Sequence, residues 1–188
     1  RLFSRPPLLL RVWVCPQACG ALPQEESGVE LWLVVNHFKS KIEDTLTTAF
    51  TLPRRVEQAE HVAGMVEEIR LGAPQANLVV LGDLNDYAQS QPLQTLEAAG
   101  LANTVLSIPS SQRYTYVFQG ISQVLDHILV GLNLPLACVA VETYPVNADY
   151  PVTCSGVNDS VHRSSDHDPL VIRLQALAFG LFMPQVGR

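Results

Sequence analysis

The chain has 188 residues, 47% of them apolar, and a formal net charge of −6. That length fits one domain with a sizeable core, and the acidic balance excludes a broad basic surface for nucleic acid. No apolar run approaches the roughly 20 residues that a membrane-spanning helix needs.

Pro7–Val14 is short, apolar and followed by a turn, which predicts a buried strand. Residues 15–28 carry Pro, Gly, Gln and Glu and read as a loop. Val29–Val35 is a second strand, the hairpin partner of the first, and it runs into Asn36-His37-Phe38-Lys39-Ser40-Lys41. Residues 42–52 read as a Thr-rich loop. Val56, Ala59, Val62, Ala63, Val66 and Ile69 recur on one stripe and predict a helix over 54–70, stopped by Gly72 and Pro74. Asn77–Leu81 is a short apolar strand that enters Gly82-Asp83-Leu84-Asn85-Asp86. Ser90 caps a second helix that reaches Ala99 and stops at Gly100. Residues 114–118 and 124–130 read as a hairpin around Gln119-Gly120, and Leu136–Tyr144 as a further strand. Residues 145–165 are polar and loop-like, 170–174 is the last strand, and the tail from Ala176 is apolar without a period. Strands outnumber helices, which predicts a layered α/β fold on a mixed sheet.

Four cysteines, Cys15, Cys19, Cys138 and Cys154, are spaced too loosely for a structural zinc site. Cys15–Cys19 and Cys138–Cys154 disulfides fit an oxidising compartment, whereas Cys138 also fits a plain core position.

Polar clusters interrupt the strands in a repeated way. Ser164-Ser165-Asp166-His167-Asp168-Pro169 precedes the last strand. It sets a hard oxygen donor for a divalent cation beside a side chain that titrates near neutral pH. Asn36 to Lys41 offers a His, two Lys and a Ser, a set suited to a phosphoryl group. Asp83 and Asn85 are two apart, so an extended chain points both one way. A carboxylate and an amide carbonyl make a half-site for Mg²⁺; alternatively the amide NH₂ donates to a phosphate or an attacking water. Asp126 and His127 lie inside an apolar run. A carboxylate there needs a partner, and a His from elsewhere is the natural one; His127 itself reads as structural. In-line attack at phosphorus needs a cation on the phosphate oxygens, a group to activate water, and donors for the developing charge. Asp83, Asn85, Asp166 and His167, with Asp126 behind His167, cover these roles.

In this order, the clusters resemble the endonuclease/exonuclease/phosphatase superfamily, of the deoxyribonuclease I type. The resemblance covers roughly residues 3–174 and rests on His37, Gly82-Asp83-Leu84-Asn85, Leu125-Asp126-His127 and Ser165-Asp166-His167-Asp168-Pro169. Lys39-Ser40-Lys41, Arg55–Ala59, Tyr116–Gly120, Pro145–Asp149 and Arg163–Pro169 look like the bacterial extracellular branch. The resemblance implies a four-layer α/β sandwich with mixed β-sheets and phosphodiester hydrolysis with Mg²⁺ or Mn²⁺, Ca²⁺ being a further candidate. It implies catalytic roles for His37, Asp83, Asn85, Asp126 and His167, without saying which His is base and which acid. Asp83, Asn85 and Asp166 are the implied metal set, and Arg5, Asn36 and Lys39 the implied phosphate-binding set. A nuclease with a DNA substrate, and RNA as a second candidate, is the leading expectation, placed outside the cell or in the periplasm. The alternatives are a phosphatase or phospholipid-cleaving hydrolase of the same superfamily, or an inactive, truncated binding domain. The superfamily's early strands carry an Asn and a metal-binding Glu with no counterpart here; Glu25, Glu26 and Glu30 stand in the wrong motif. Residues 1–175 are therefore expected to be the C-terminal portion of such a domain, its N-terminal half missing, with 176–188 a tail. A sheet edge or apolar face is expected to be left uncovered.

Overall fold

The computed structural model describes residues 1–14, 29–45, 47–134, 136–150 and 162–176. Strands β1 (Leu8–Val14) and β2 (Val29–His37) pair antiparallel, from Leu8 opposite Val35 to Val14 opposite Val29. Helix α1 (Leu52–Gly72) then carries the chain to β3 (Leu78–Asp83), which lies parallel to β2. A parallel neighbour requires such a crossover, because a tight turn only reverses the chain. Helix α2 (Gln91–Ala98) and the short β4 (Leu101–Asn103) follow, then two 3₁₀ turns at Thr104–Ser107 and Ser110–Gln112. β5 (Tyr116–Phe118) and β6 (Ile121–Gln123) form a hairpin. β7 (Asp126–Gly131) enters the main sheet, whose strand order is β1-β2-β3-β7-β4. β8 (Leu136–Thr143) and β9 (Leu170–Ala176) make a separate antiparallel pair. The fold is mixed α/β with several sheets, as the sequence predicts.

One predicted element is corrected. The hairpin partner of 116–118 is 121–123, and the run from Asp126 belongs to the main sheet. Gln119 (φ 50°) and Gly120 (φ 79°) close a two-residue turn at once onto Ile121. Leu125 and Asp126 are then free to lead the more apolar segment into the centre, antiparallel to both β3 and β4. Ser90 stands at the α2 N-cap, but its hydroxyl makes no cap hydrogen bond.

The core follows the apolar stripe of α1. Ala59, Val62 and Val66 pack with Val34, Leu78 and Val80 of the sheet, and with Leu93 and Leu96 of α2. Each fully buried Val or Leu contributes about 1.5–3 kcal/mol. Two polar residues share that buried face. Arg55 Nε donates to Asp86 Oδ2 at 2.7 Å and Nη2 to Asp44 Oδ2 at 2.9 Å. Gln58 Oε1 accepts from Lys39 N at 2.8 Å, and its Nε2 donates to Leu2 O at 3.1 Å. These bonds tie the β2–α1 loop and the N-terminal segment to the helix. Contrary to the buried strand expected from its apolar run, β1 is the outer strand of the sheet, paired on one side only among the described residues, and Leu8, Leu9, Leu10, Trp13 and Val14 are exposed. Cys15, Cys19 and Cys154, the side chain of Cys138, and Glu25 and Glu26 lie outside the described residues.

Candidate active site

The main sheet ends in a row of polar residues because two strands run out together. In β2 and β3, Asn36 stands opposite Gly82 and His37 opposite Asp83; β7 begins with Asp126 opposite Asp83 on the other side. Gly82 has φ 127°, and a Cβ there would lie 2.0 Å from Asn36 O. Only glycine permits that approach. His37 Nε2 consequently lies 3.6 Å from Asp83 Oδ2.

Asp83 is held from its other end. Asn85, at φ 52°, donates its backbone N–H to Asp83 Oδ1 and its Nδ2 to Asp83 Oδ2, both at 2.9 Å. The same Nδ2 donates to Phe38 O at 3.2 Å. The Asn85 amide NH₂ thus fixes the carboxylate and the β2 exit.

His167 arrives from the loop before β9. Its Nδ1 lies 2.6 Å from Asp126 Oδ2 and its Nε2 4.0 Å from Asp83 Oδ2. With Nδ1–H donating to the carboxylate, Nε2 of the neutral ring is left free to take a proton. The Tyr116 ring packs against the imidazole at 4.7 Å between centroids.

These groups line one cleft of about 580 Å³, together with Arg5, Ser40, Lys41, Tyr116, Phe118 and Asp166. Burial, then the neighbouring Asp126 charge, push the Asp83 carboxyl up to about 6, while His167 and the Asn85 hydrogen bonds pull the other way. Burial opposes the charged form of His167, but its hydrogen bond to Asp126 and the charges of Asp126, Asp83 and Asp166 outweigh it and raise its pKa. Burial lowers the pKa of His37, and the charges of Arg5 and His167 add to that, against Asp126. The two imidazoles are therefore driven in opposite directions, one toward imidazolium and one toward the neutral ring.

Ligand atoms of Asp83, Asp126 and His167 lie within 4.8 Å of one another, the one such group among the described residues. The donor set fits a divalent cation. Burial, then the neighbouring Asp126 carboxylate, raise the Asp83 pKa, a strain that a cation between the two acids would relieve, and hard oxygens suit Mg²⁺ or Mn²⁺. Asp166 is exposed in the same cleft, outside that trio.

Of the residues picked from sequence, Arg5, His37, Asp83, Asn85, Asp126, Asp166 and His167 meet at the cleft. Asn36 and Lys39 do not line it. Asn36 is buried and donates Nδ2 to Val34 O at 2.9 Å. Lys39 pairs with Glu43, because the chain leaves β2 after His37 and strand alternation no longer aims it at the site. Lys41 takes its place at the wall, 3.5 Å from Asp86 Oδ1 and 4.5 Å over the Tyr87 ring. Tyr116 and Phe118 were also missed. Their i, i+2 spacing on a strand beside Gly120 was the available signal. His127 is buried, with Nδ1 3.1 Å from Asn103 Nδ2 and Nε2 2.9 Å from Asp86 O.

The family model described as endonuclease/exonuclease/phosphatase matches residues 20–146. The chain belongs to the endonuclease/exonuclease/phosphatase family. Solved structures share its fold at low identity. A mannosyl-6-phosphatase of Bacteroides thetaiotaomicron is 17% identical with a TM-score of 0.56, over 89% of this chain and 65% of that one. An endonuclease/exonuclease/phosphatase family protein of that organism is 16% identical with a TM-score of 0.54, over 89% and 62%. TDP2 of D. rerio, complexed with a single strand DNA product, is 16% identical with a TM-score of 0.55, over 90% and 69%. The chain thus spans less than two thirds of either Bacteroides protein. By sequence, no curated protein matches it.

Proposed function

We propose that the cleft hydrolyses phosphoesters with a divalent cation, and that its substrate is a phosphodiester of DNA or RNA. The observation that carries this reading is the Asp126–His167 pair at 2.6 Å, with His167 Nε2 turned toward Asp83. Mg²⁺ or Mn²⁺ held by Asp83 and Asp126, with Asp166 at hand, would supply Lewis-acid polarisation of a phosphoryl oxygen. The chain's own groups do the rest. Asp126 fixes the His167 tautomer and stabilises its charged form, so that proton transfer occurs at Nε2. Asn85 keeps Asp83 in place. His37, biased toward the neutral ring, is set to donate a hydrogen bond to a phosphoryl oxygen. Arg5 and Lys41 offset substrate charge in an otherwise acidic protein.

A polynucleotide is favoured over a simple monoester by two rings. Tyr116 and Phe118 lie along the cleft, stacked at 6.4 Å between centroids, and Phe118 is exposed. Such surfaces hold nucleobases at about 1–3 kcal/mol per stacked base. The TDP2 neighbour holds a DNA product, in keeping with this. A phosphatase is the second reading, favoured by the mannosyl-6-phosphatase neighbour of equal fold similarity. The resemblance of its motifs to the bacterial extracellular branch supports a location outside the cell or in the periplasm. A panel of DNA, RNA, sugar phosphates, inositol phosphates and sphingomyelin, each with Mg²⁺ and with Mn²⁺, tests the proposal. Turnover of DNA or RNA well above the rest is expected. Turnover confined to monoesters would overturn the nuclease reading and leave the phosphatase one.

A further inference from the structure

Asp126 and His167 are 41 residues apart and sit on separate elements, the start of β7 and the loop before β9, yet bond at 2.6 Å. Something must fix the two elements against each other, since a misplacement of about 1 Å at a catalytic pair costs of order 100-fold in rate. Thr115 lies between them and is completely buried. Its hydroxyl accepts from two successive backbone N–H groups at the entry of β7, Leu125 at 3.2 Å and Asp126 at 3.3 Å. Its carbonyl accepts from Asp168 N at 2.7 Å, the residue after His167. Its own N–H donates to Gln123 O at 2.9 Å, and the next residue, Tyr116, forms an isolated antiparallel bridge with His167.

The far side of the His167 loop is fastened independently. Asp168 Oδ1 accepts from the N–H groups of Val146, Asn147 and Ala148 at 2.7–3.0 Å. Asn147 Nδ2 returns a bond to His167 O at 2.8 Å. With that anchor behind the loop, Thr115 and the adjoining Tyr116 bridge span the gap in front of it.

We propose that Thr115 is a positioning residue whose hydroxyl and carbonyl set the distance between Asp126 and His167. Its side chain does not line the cleft, and it bonds the backbone of Leu125 and Asp126 rather than a reacting side-chain atom. It acts by holding the carboxylate's strand and the imidazole's loop in one register. A hydroxyl suits this place because one oxygen can accept from two adjacent N–H groups while the backbone carbonyl faces the other element. The consequence for turnover rests on the hydrolase reading above; the consequence for the His167–Asp126 hydrogen bond does not.

The ¹⁵N chemical shifts of the His167 imidazole report which ring nitrogen carries the proton. They are read on the full chain, at a pH where the ring is neutral. The wild type is expected to hold the proton on Nδ1. Thr115→Val keeps the shape and removes the acceptor. It is expected to move the ring toward the Nε2–H tautomer and to lower kcat about 10- to 100-fold, with KM within about twofold. Thr115→Ser, which keeps the hydroxyl, is expected to retain the wild-type tautomer and kcat. If Thr115→Val does not fold by circular dichroism, Thr115→Cys carries the test, its sulfur being a poor acceptor in nearly the same volume. A wild type without the Nδ1 proton, a Val or Cys variant that keeps it in full, or a Ser variant that loses it, would each overturn the proposal. A tautomer that answers to Thr115 in a protein without turnover on any phosphoester would sink the hydrolase reading and leave the positioning role standing.

Discussion

At the residue scale, Asp126 carries the most weight. It stands half-buried at the entry of the apolar strand β7, where a carboxylate is costly unless paired, and its partner is His167. Asp126→Asn keeps the shape and removes the charge. Turnover is expected to fall by two to four orders of magnitude, on the scale of about 10⁴ seen for an orienting carboxylate in a His pair. Because Asp126 raises the His167 pKa, the variant's His167 should titrate lower, toward the ordinary value of about 6.5. An NMR titration without metal reads this, and an unchanged His167 midpoint would contradict it. His127 gives a second pH dependence, in stability. It is buried and lies between Asn103 and the Asp86 carbonyl, and burial lowers its pKa against the Asp86 bond and the Asp126 and Asp86 charges. The unfolded chain therefore binds the proton first. The stability this adds is fully present above about pH 6.5 and is lost as pH falls through the depressed folded value. Denaturant midpoints of the wild type and His127→Gln should draw together over that range; parallel curves would contradict the assignment.

At the element scale, two buried features position the site. Gly82 brings β2 and β3 together just before His37 and Asp83. Gly82→Ala is expected to cost about 1–3 kcal/mol from backbone strain alone, with the contact at Asn36 O added, and to lower activity with it. Chemical denaturation checks this, and a neutral variant would contradict the close approach. Arg55 joins α1 to Asp86 and Asp44. Arg55→Met leaves both carboxylates without it and is expected to cost about 3–5 kcal/mol. These elements were legible to different degrees. The apolar stripe from Val56 to Ile69 gave α1, and the apolar runs gave β1 to β3. Arg55 and Gln58 stayed hidden, since a polar residue on a helix shows no sign in sequence of being buried by partners 20 or 30 positions away. The β5–β6 hairpin was misread because the two-residue turn closes on three residues too polar to announce a strand, while the stronger run belongs to the main sheet.

At the scale of the whole molecule, the fold class and family were readable because four polar clusters stand at strand ends in a fixed order. Which residues share the cleft was readable where backbone pairing alone decides, as for His37, Asp83 and Asp126. It was not readable for Lys39 and Lys41, where a bend after β2 exchanges their places. The Asp83–Asp126–His167 group also predicts a linked metal effect. Saturating Mg²⁺ or Mn²⁺ should stabilise the native chain, by about 2.7 kcal/mol at a hundredfold excess over Kd. Asp83→Ala should abolish the rise in thermal midpoint, and a rise that survives it would place the ion elsewhere. The central claim is that this cleft cleaves phosphodiesters through His167. Nicking of supercoiled plasmid by this chain with Mg²⁺, beside His167→Ala and a chelator control, tests it most directly. The account predicts nicking that both controls abolish. Nicking by His167→Ala at the wild-type rate, or none by the wild type with either Mg²⁺ or Mn²⁺, would contradict it.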